Sequence, residues 1–396
     1  MQDLIFVSME NWDDVWRRNQ FLCAGLSRRF PDSKILFVGL PRNATNDLRH
    51  GRMPDLSAAD TTVPDLPGIT LTRPLKLLPD TLGWGRRLNE TLFRAHLRRA
   101  ARRLGMQSPI LWLNPHSAVH MAGQMGESAV VYDITDDWTM QIQSPAMTRL
   151  TIDQDAALCR RADAVVVCSE RLRDMKRGLA KDLYLIPNGV DAEHYRAVLD
   201  GTGPLPAPAD TWAKPVLGYT GTIHPERVDV PLVESLARRF SSGTIALVGP
   251  NMLPAEDRQR LAACGNVVLT GPVPYAHIPE TMRAFDVCIT PHRMTAFTES
   301  LNPIKLWEYF AAGKPIVSTN VAGFRDYPQF VRLASDADSF RRAVEDALTE
   351  DPASGEARRA EARCQSWNAR LEQIIEVLQS FEHASLADKK EVIRAS

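Results

Sequence analysis

Short apolar runs alternate along the chain with longer stretches in which apolar residues recur every three or four positions. The short runs are rich in β-branched residues and most end at Gly, Pro, Ser or Asn, which predicts buried strands. The amphipathic stretches between them predict helices, and this alternation is typical of parallel sheets covered by helices. The predicted strands are Leu4–Ser8, Lys34–Gly39, Ile69–Arg73, Ile110–Asn114, Ala129–Ile134, Ala164–Ser169, Leu183–Pro187, Val216–Thr220, Thr244–Val248, Asn266–Thr270, Val287–Pro291, Ile316–Thr319 and Phe330–Leu333.

The strands fall into two sets, separated by a Pro- and Gly-rich stretch at residues 200–215 that lacks apolar periodicity and is typical of a linker. We therefore predict an α/β protein of two Rossmann-like, doubly wound domains, residues 1–199 and 200–365. Residues 366–396 predict an amphipathic helix that returns to the N-terminal domain, followed by a polar tail. Ligands of open α/β sheets lie outside the carboxyl ends of the strands, so chemistry is expected in loops facing a central cleft between the domains.

Composition and charge exclude several classes of protein. The 396 residues are 44% hydrophobic and 24% charged, which excludes a mostly disordered chain, and the net charge of −1 gives no global basic field for nucleic acid. No apolar run approaches the ~18 residues that span a bilayer. No signal peptide is evident, and the six cysteines contain no CxxC pair, so we expect reduced thiols in a cytoplasmic protein.

The segment 299–319 (ESLNPIKLWEYFAAGKPIVST) is the most informative of the chain. Asn302 is a good N-cap, Pro303 suits the first helical position, and Gly313 suits the residue just past a helix end. The pattern predicts a helix over 303–312 that leads into a strand.

Lys305 and Glu308 carry the candidate chemistry of that helix. A cation in the first turn opposes the helix dipole, and a bound phosphate would remove the conflict by meeting both the lysine and the free N–H groups. Glu308, one turn further on the same face, could accept hydrogen bonds from the vicinal hydroxyls of a ribose. A plain salt bridge between the two side chains is the alternative interpretation.

These residues resemble the nucleotide-sugar segment of glycosyl transferases group 1, a large family (family four) of retaining, GT-B-fold glycosyltransferases. The stretch from Glu308 to Val317 matches the second half of the family pattern, and the resemblance covers about residues 160–345. The NPIK variant is similar to a branch associated with surface polysaccharide assembly. Other segments that resemble the family in the same order are Leu185–Asp191, Tyr219–Val230, Asn266–Pro274 and Ala284–Pro291.

The resemblance implies retaining transfer from a nucleotide-diphosphate sugar, UDP favoured over GDP, without a metal or other cofactor. The acceptor is expected to be a saccharide or a lipid-linked molecule. Lys305 and Arg227 are expected to hold the diphosphate and Glu308 the ribose, with Gly271 and Val273 lining the base site. The full predicted donor-binding set is Glu308, Glu299, Ser300, Leu301, Asn302, Gly221, Thr222, Gly271 and Val273.

Two departures from the family pattern stand out. Ser300 occupies the position of the first family Glu, so that role passes to Glu299, Ser300 or Asn302, or is lost. Thr222 follows Gly221 where the family has Arg, and Arg227 fills the family Lys position; an arginine fork binds phosphate oxygens in pairs.

The first half offers acceptor candidates. Arg18 and Gln20 follow the first strand where the family is Gly-rich, and they either reach the cleft or pack on the sheet. Asp136 and Asp137 follow another strand. Clustered carboxylates can hold Mg²⁺ or Mn²⁺ in a GT-A transferase, but their spacing does not match the DxD motif, so we favour helix capping or acceptor binding.

His116 and His120 lie four residues apart, but the Glu of HExxH is absent, so no zinc site is predicted. His116 follows a predicted strand and is a candidate catalytic group in contact with the donor sugar; a simply hydrogen-bonded histidine is the alternative.

Residues 84–105 hold seven Arg and one Glu, with an apolar stripe through Leu88, Leu92 and Leu97. Such a basic amphipathic helix could lie on anionic lipid at the inner face of the membrane, or pack on the domain by its apolar face.

Two rival functions follow from the same pocket: a sugar-nucleotide 2-epimerase on the same fold, and a non-catalytic sugar-nucleotide-binding protein. The second alternative, a non-catalytic binding protein, is considered because Ser300 and Thr222 stand where the family has Glu and Arg.

Overall fold

The computed structural model describes residues 1–54, 60–79, 83–140, 143–300 and 302–395; the side chains of residues 300 and 382–395 are outside that description. The chain divides into two compact units. Unit 1 comprises residues 1–13, 17–187 and 371–396, and unit 2 comprises residues 14–16 and 188–370. The chain thus changes unit at 187/188 and 370/371, whereas the predicted domain boundaries were 199/200 and 365/366. Residues 188–199 group with unit 2.

Unit 1 is built on an eight-stranded sheet whose parallel strands run, by their order in the chain, 3-2-1-4-5-6-7, with one antiparallel edge strand. Its elements are β1 Leu4–Val7, α1 Arg18–Arg29, β2 Ile35–Val38, β3 Arg42–Asn43, α2 Ala44–Arg49, β4 Thr61–Val63, β5 Leu66–Thr72, β6 Leu75–Lys76, α3 Gly83–Arg103, β7 Ile110–Leu113, β8 Ala129–Ile134, α4 Pro145–Arg161, β9 Ala164–Val167, α5 Glu170–Lys176 and β10 Leu183–Leu185.

The sheet of unit 1 runs β10-β9-β8-β7-β1-β2-β5-β4, and β3 pairs separately with β6. Every residue of the central strands β1, β2, β7 and β8 is buried. Strands buried on both faces read as continuous apolar runs, which is why these strands stood out in the sequence.

Unit 2 has a six-stranded parallel sheet in the order β13-β12-β11-β14-β15-β16, which is the 3-2-1-4-5-6 order of the doubly wound fold. Its elements are α6 Ala197–Asp200, β11 Val216–Thr220, α7 Val230–Arg239, β12 Thr244–Val248, α8 Ala255–Ala263, β13 Val267–Leu269, α9 Ile278–Met282, β14 Val287–Thr290, α10 Ile304–Ala312, β15 Ile316–Thr319, β16 Arg332–Ala334, α11 Ala337–Leu348 and α12 Ser354–Cys364. The prediction of two doubly wound α/β domains is confirmed.

The last helix, α13, runs from Trp367 to Ala395 and is longer than the amphipathic pattern at 366–382 indicated. From Leu371 onward it belongs to unit 1. A Cβ on Gly25 of α1 would lie 2.8 Å from the Leu371 side chain, so the two helices approach closely at this glycine. Among the described residues, no helix is long and apolar enough to cross a membrane.

Candidate active site

Glycines mark the carboxyl ends of three neighbouring strands in unit 2. Gly221, Gly249 and Gly271 directly follow or lie two residues beyond β11, β12 and β13, and all three have positive φ. The Gly249 N–H donates to the Gly271 carbonyl at 3.1 Å, and a Cβ on Gly249 would lie 2.3 Å from the Gly221 carbonyl oxygen. The backbones therefore meet with no side chain between them, and this end of the sheet presents bare peptide groups.

Helix α10 begins one residue later than predicted. Pro303 occupies the N-cap position and no side chain caps the helix, so the predicted N-cap at Asn302 is wrong. Asn302 instead binds the chain at Asn188: its Oδ1 accepts from the Asn188 N–H at 2.8 Å, and its carbonyl accepts from Asn188 Nδ2 at 2.6 Å. The helix ends at Gly313 with φ 67°, as the sequence predicted.

Lys305 extends from the first turn of α10 to the end of β11. Its Nζ lies 4.8 Å from the centre of the Tyr219 ring, and a Cβ on Gly221 would lie 3.3 Å from Nζ. Within the described part of the chain, Lys305 forms no ion pair with a carboxylate, so the predicted alternative of a Lys305–Glu308 salt bridge is not formed. An ammonium without an ion-pair partner beside the Gly221 backbone suits an anion.

Glu308 lies among aromatic side chains. Burial raises its pKa, while the Tyr195 hydroxyl and Lys305 act in the opposite direction. Tyr195 is fully buried and packs edge-to-face on Tyr275, whose ring stacks on His194 at 4.1 Å between centroids. Burial, and next the charge of Glu308, raises the pKa of both tyrosines, so all three groups share one poorly solvated environment.

Sequence reasoning missed Tyr195 and Tyr275, because they come from segments about 110 and 30 residues before Glu308 and no motif marks them. The aromatic neighbours of Glu308 in α10 pack into the core: Trp307, Tyr309 and Phe310 are at most 3% exposed.

The second predicted phosphate ligand, Arg227, packs over the Phe297 ring, with Cζ 5.4 Å from its centre. Sequence reasoning also missed His292, which follows β14 and is 1% exposed. Burial lowers the pKa of His292 well below its usual range, and the positive charges of Lys305 and Arg227 add to that effect. Both predicted cations therefore act on the same buried imidazole.

The other predicted donor contacts have varied surroundings. Glu299 accepts from an Arg325 guanidinium nitrogen at 2.7 Å, and the Thr222 carbonyl accepts from the Tyr219 hydroxyl at 3.2 Å. Val273 packs partly buried against the core of unit 2. Ser300 ends a short 3-10 turn, and Leu301 lies outside the described residues.

In unit 1, Arg18 and Gln20 are buried. Arg18 Nε donates to Asp133 Oδ2 at 3.1 Å, and another of its nitrogens donates to the carbonyls of Ile186 and Pro187. Gln20 accepts from the Arg17 N–H at 3.1 Å in the cap of α1 and is 0% exposed. These contacts are those of side chains that pack on the sheet of unit 1, and they give no support to acceptor binding by Arg18 or Gln20.

Asp136 and Asp137 follow β8. Asp137 accepts from the Thr139 N–H at 3.2 Å, at the start of a 3-10 turn over Trp138–Met140, which agrees with the predicted capping role. The Asp137 Oδ2 atom is buried and has no hydrogen-bond partner in the described residues. Nowhere in those residues do three or more His, Cys, Asp or Glu side chains form a group that could hold a metal ion.

His116 begins a 3-10 turn that follows β7 after Asn114 and Pro115. Its Nδ1 is buried without a hydrogen-bond partner among the residues described, and burial lowers its pKa. A neutral imidazole whose Nδ1 has no hydrogen-bond partner in the described residues is compatible with the predicted contact to the donor sugar.

Comparison with known proteins gives a family match for part of the chain and the fold of the whole. The glycosyl transferases group 1 model matches residues 214–350. TuaH of Bacillus subtilis (strain 168), named as a teichuronic acid biosynthesis glycosyltransferase, is 27% identical over 280 residues, covering 64% of this chain and 68% of that protein.

Two solved structures share the fold at 17% identity. Sucrose-phosphate synthase from Thermosynechococcus elongatus has a TM-score of 0.72 and covers 97% of this chain and 100% of its own. Anabaena HepE, in complex with UDP and glucose, has a TM-score of 0.68 and covers 96% of this chain and 100% of its own. The two parallel α/β sheets are thus those of the GT-B fold, and residues 214–350 match the glycosyl transferases group 1 family.

Proposed function

We propose that this glycosyltransferase moves a sugar from a nucleotide-diphosphate sugar to a saccharide or lipid-linked acceptor. The observation that carries the proposal is the Lys305 ammonium, held without a carboxylate partner among the described residues beside the bare backbone of Gly221. Glu308 lies one helical turn from that cation. A cation for phosphate and a carboxylate for vicinal hydroxyls form the minimal recognition set of a nucleoside diphosphate.

UDP is the favoured nucleotide. The structure of HepE contains UDP and glucose, and that of a related E. coli protein contains UDP-2-fluoro glucose. Arg227 supplies a second cation to the diphosphate, and Gly271 and Val273 line the base site. Glu299, Ser300, Leu301, Asn302 and Thr222 complete the donor set as proposals.

The transfer proceeds with retention and without a metal. The bond between the sugar carbon and the diphosphate oxygen breaks, and the acceptor hydroxyl attacks from the face by which the diphosphate leaves. A phosphate oxygen takes the acceptor proton. Fixed cations stabilise the negative charge that grows on the leaving group, which is the usual source of the largest rate effect in such sites.

The acceptor belongs to surface polysaccharide or glycolipid synthesis. The name of TuaH and the NPIK sequence of this chain support that assignment. Asp136 and Asp137 are the proposed acceptor contacts, since they follow the carboxyl end of β8, the edge at which open α/β sheets bind ligands. His116 remains the proposed catalytic group of unit 1.

Thermal unfolding with UDP, GDP and their sugars, with and without Mg²⁺, tests the donor proposal. A ligand at 100 times its dissociation constant stabilises the folded state by about 2.7 kcal/mol, which gives a measurable rise in Tm. We expect a rise with UDP or UDP-sugars that does not require Mg²⁺. A rise that needs the metal, or no rise with any nucleotide, would contradict the proposal. Product analysis of the donor alone then separates transfer from epimerisation.

Contact with anionic lipid is the second part of the proposal, and it involves the start of α3. Trp84 and Leu88, one turn apart, are 65% and 41% exposed, whereas Leu97 further along the helix is fully buried. Arg98 donates to the Gln124 carbonyl and Arg103 pairs with Asp60, so these two arginines are engaged within unit 1. The exposed apolar pair with its neighbouring arginines therefore carries the proposed membrane contact.

Sedimentation with anionic vesicles tests this contact. We expect the double substitution Trp84→Ser and Leu88→Ser to reduce pelleting more than tenfold, because both side chains would lose burial in the lipid interface. Changing Arg86 and Arg87, the arginines next to this pair, to Glu should also reduce pelleting, with a strong dependence on salt. Neutral vesicles serve as the control, and wild-type pelleting by both variants would refute the contact.

A further inference from the structure

The Lys305 ammonium rests on the face of a fully buried tyrosine. Tyr219 is 0% exposed, and its ring centre lies 4.8 Å from Lys305 Nζ. An aromatic face attracts a cation through its quadrupole, and the attraction is larger where water is excluded. The ring therefore fixes the height of the ammonium above the end of β11.

The Tyr219 hydroxyl is itself held by two groups. It donates to the Thr222 carbonyl at 3.2 Å and lies 3.4 Å from His292 Nε2. A tyrosine hydroxyl has one proton, and a carbonyl can only accept. His292 Nε2 must then donate to the Tyr219 oxygen, which assigns the imidazole proton to Nε2. These two hydrogen bonds hold the Gly221–Thr222 turn in place, and Lys305 lies next to that turn.

The surroundings of His292 keep it neutral. It is 1% exposed, and burial together with Lys305 and Arg227 lowers its pKa. Its Nδ1 is buried with no hydrogen-bond partner in the described chain. A neutral imidazole adds no third positive charge next to the two cations, so it can orient the tyrosine without repelling Lys305.

We propose that Tyr219 and His292 are positioning residues that hold the Lys305 ammonium in place for a diphosphate. His292 fixes the Tyr219 hydroxyl, the hydroxyl fixes the Gly221–Thr222 turn, and the ring carries the ammonium. The inference rests on the proposed function, in which Lys305 binds the diphosphate. Preorganisation of this kind strengthens binding because the cation does not have to be ordered when the ligand arrives.

Titration calorimetry with UDP and GDP, and with uridine and guanosine for comparison, tests the inference. We expect Tyr219→Phe and His292→Leu each to weaken diphosphate binding about 3- to 10-fold and to leave nucleoside binding unchanged. His292→Gln, which keeps a side-chain donor, should restore part of the loss. Tyr309→Phe is the matched control, because it removes another buried hydroxyl, the acceptor of the Thr220 N–H at 2.9 Å.

The Lys305→Met background separates positioning from general packing. In that background Tyr219→Phe should no longer affect diphosphate binding, because the cation that it positions is gone. An undiminished effect there, or an equal loss of nucleoside and diphosphate binding, overturns the inference while the proposed function stands. If Lys305→Met weakens binding and neither Tyr219→Phe nor His292→Leu does, the inference also fails alone. Wild-type protein that binds neither nucleotide overturns both.

Discussion

Replacing Lys305 by Met is expected to lower the turnover of the nucleotide-sugar donor by about 10²–10³-fold, which corresponds to ~3–4 kcal/mol of lost transition-state stabilisation. Lys305 lies beside the bare backbone of Gly221, and no carboxylate of the described residues forms an ion pair with it. Its charge is therefore available for the negative charge that develops on the leaving diphosphate. Methionine keeps most of the aliphatic stem, so packing against Tyr219 is largely retained.

The matched comparison is Glu308→Gln. Glu308 is proposed to bind the ribose, which does not change charge during the reaction, so its loss should raise KM about tenfold and affect turnover less. Release of nucleoside diphosphate from the donor, followed at steady state, measures both constants. Lys181→Met, on the surface of unit 1, is the control for the substitution itself. A Lys305→Met enzyme within threefold of wild type in turnover would remove Lys305 from the mechanism.

Replacing Asp133 by Asn is expected to destabilise unit 1 by about 3–5 kcal/mol. The Arg18–Asp133 pair joins α1 to β8 at 3.1 Å, and its side chains are 3% and 0% exposed. Asn114 Nδ2 also donates to the Asp133 carbonyl at 3.1 Å. The asparagine would leave the Arg18 charge buried without its carboxylate, and the large loss comes from that uncompensated charge.

Hydrogen exchange of peptides from β1, β7 and β8 measures this loss in unit 1 separately from unit 2. The double substitution Arg18→Met and Asp133→Leu should recover most of the stability, because a buried pair of charges and an apolar pair of similar volume are often equivalent. Asp200→Asn, in an exposed pair with Arg196, should cause no measurable change. Wild-type exchange in the Asp133→Asn protein would show that the pair does not stabilise unit 1.

The prediction of the strands depended on their position in the sheet. The central strands are buried on both faces, so their sequences are continuous apolar runs that local reading detects. Three short strands were missed: β3, β4 and β6 have two or three residues each and are not fully buried. Hydrogen bonds to neighbouring segments define them, and such pairing leaves no local signature in the sequence.

Part of the candidate site could also be predicted from the sequence. Helix α10, its end at Gly313, and the neighbouring Lys305 and Glu308 lie within one continuous segment, and their spacing alone puts the two functional side chains on one face. The N-cap at Asn302 was wrong because its side chain bonds to Asn188, more than 100 residues away in the chain. A local capping preference cannot anticipate a tertiary partner that competes for the same oxygen.

The sequence by itself determined the doubly wound α/β class, the helix that carries Lys305 and Glu308, and the resemblance to glycosyl transferases group 1. These follow from patterns within a few turns of chain, where side-chain periodicity and backbone preference act directly. Only the tertiary structure decided that Tyr219 lies beneath the Lys305 ammonium with His292 at its hydroxyl. It also decided that Tyr195 and Tyr275 come near enough to Glu308 for its charge to raise their pKa, and that Arg18 is buried against Asp133. Such contacts join residues from separate strands and loops, and their burial and altered pKa values arise only when the sheet brings those segments together.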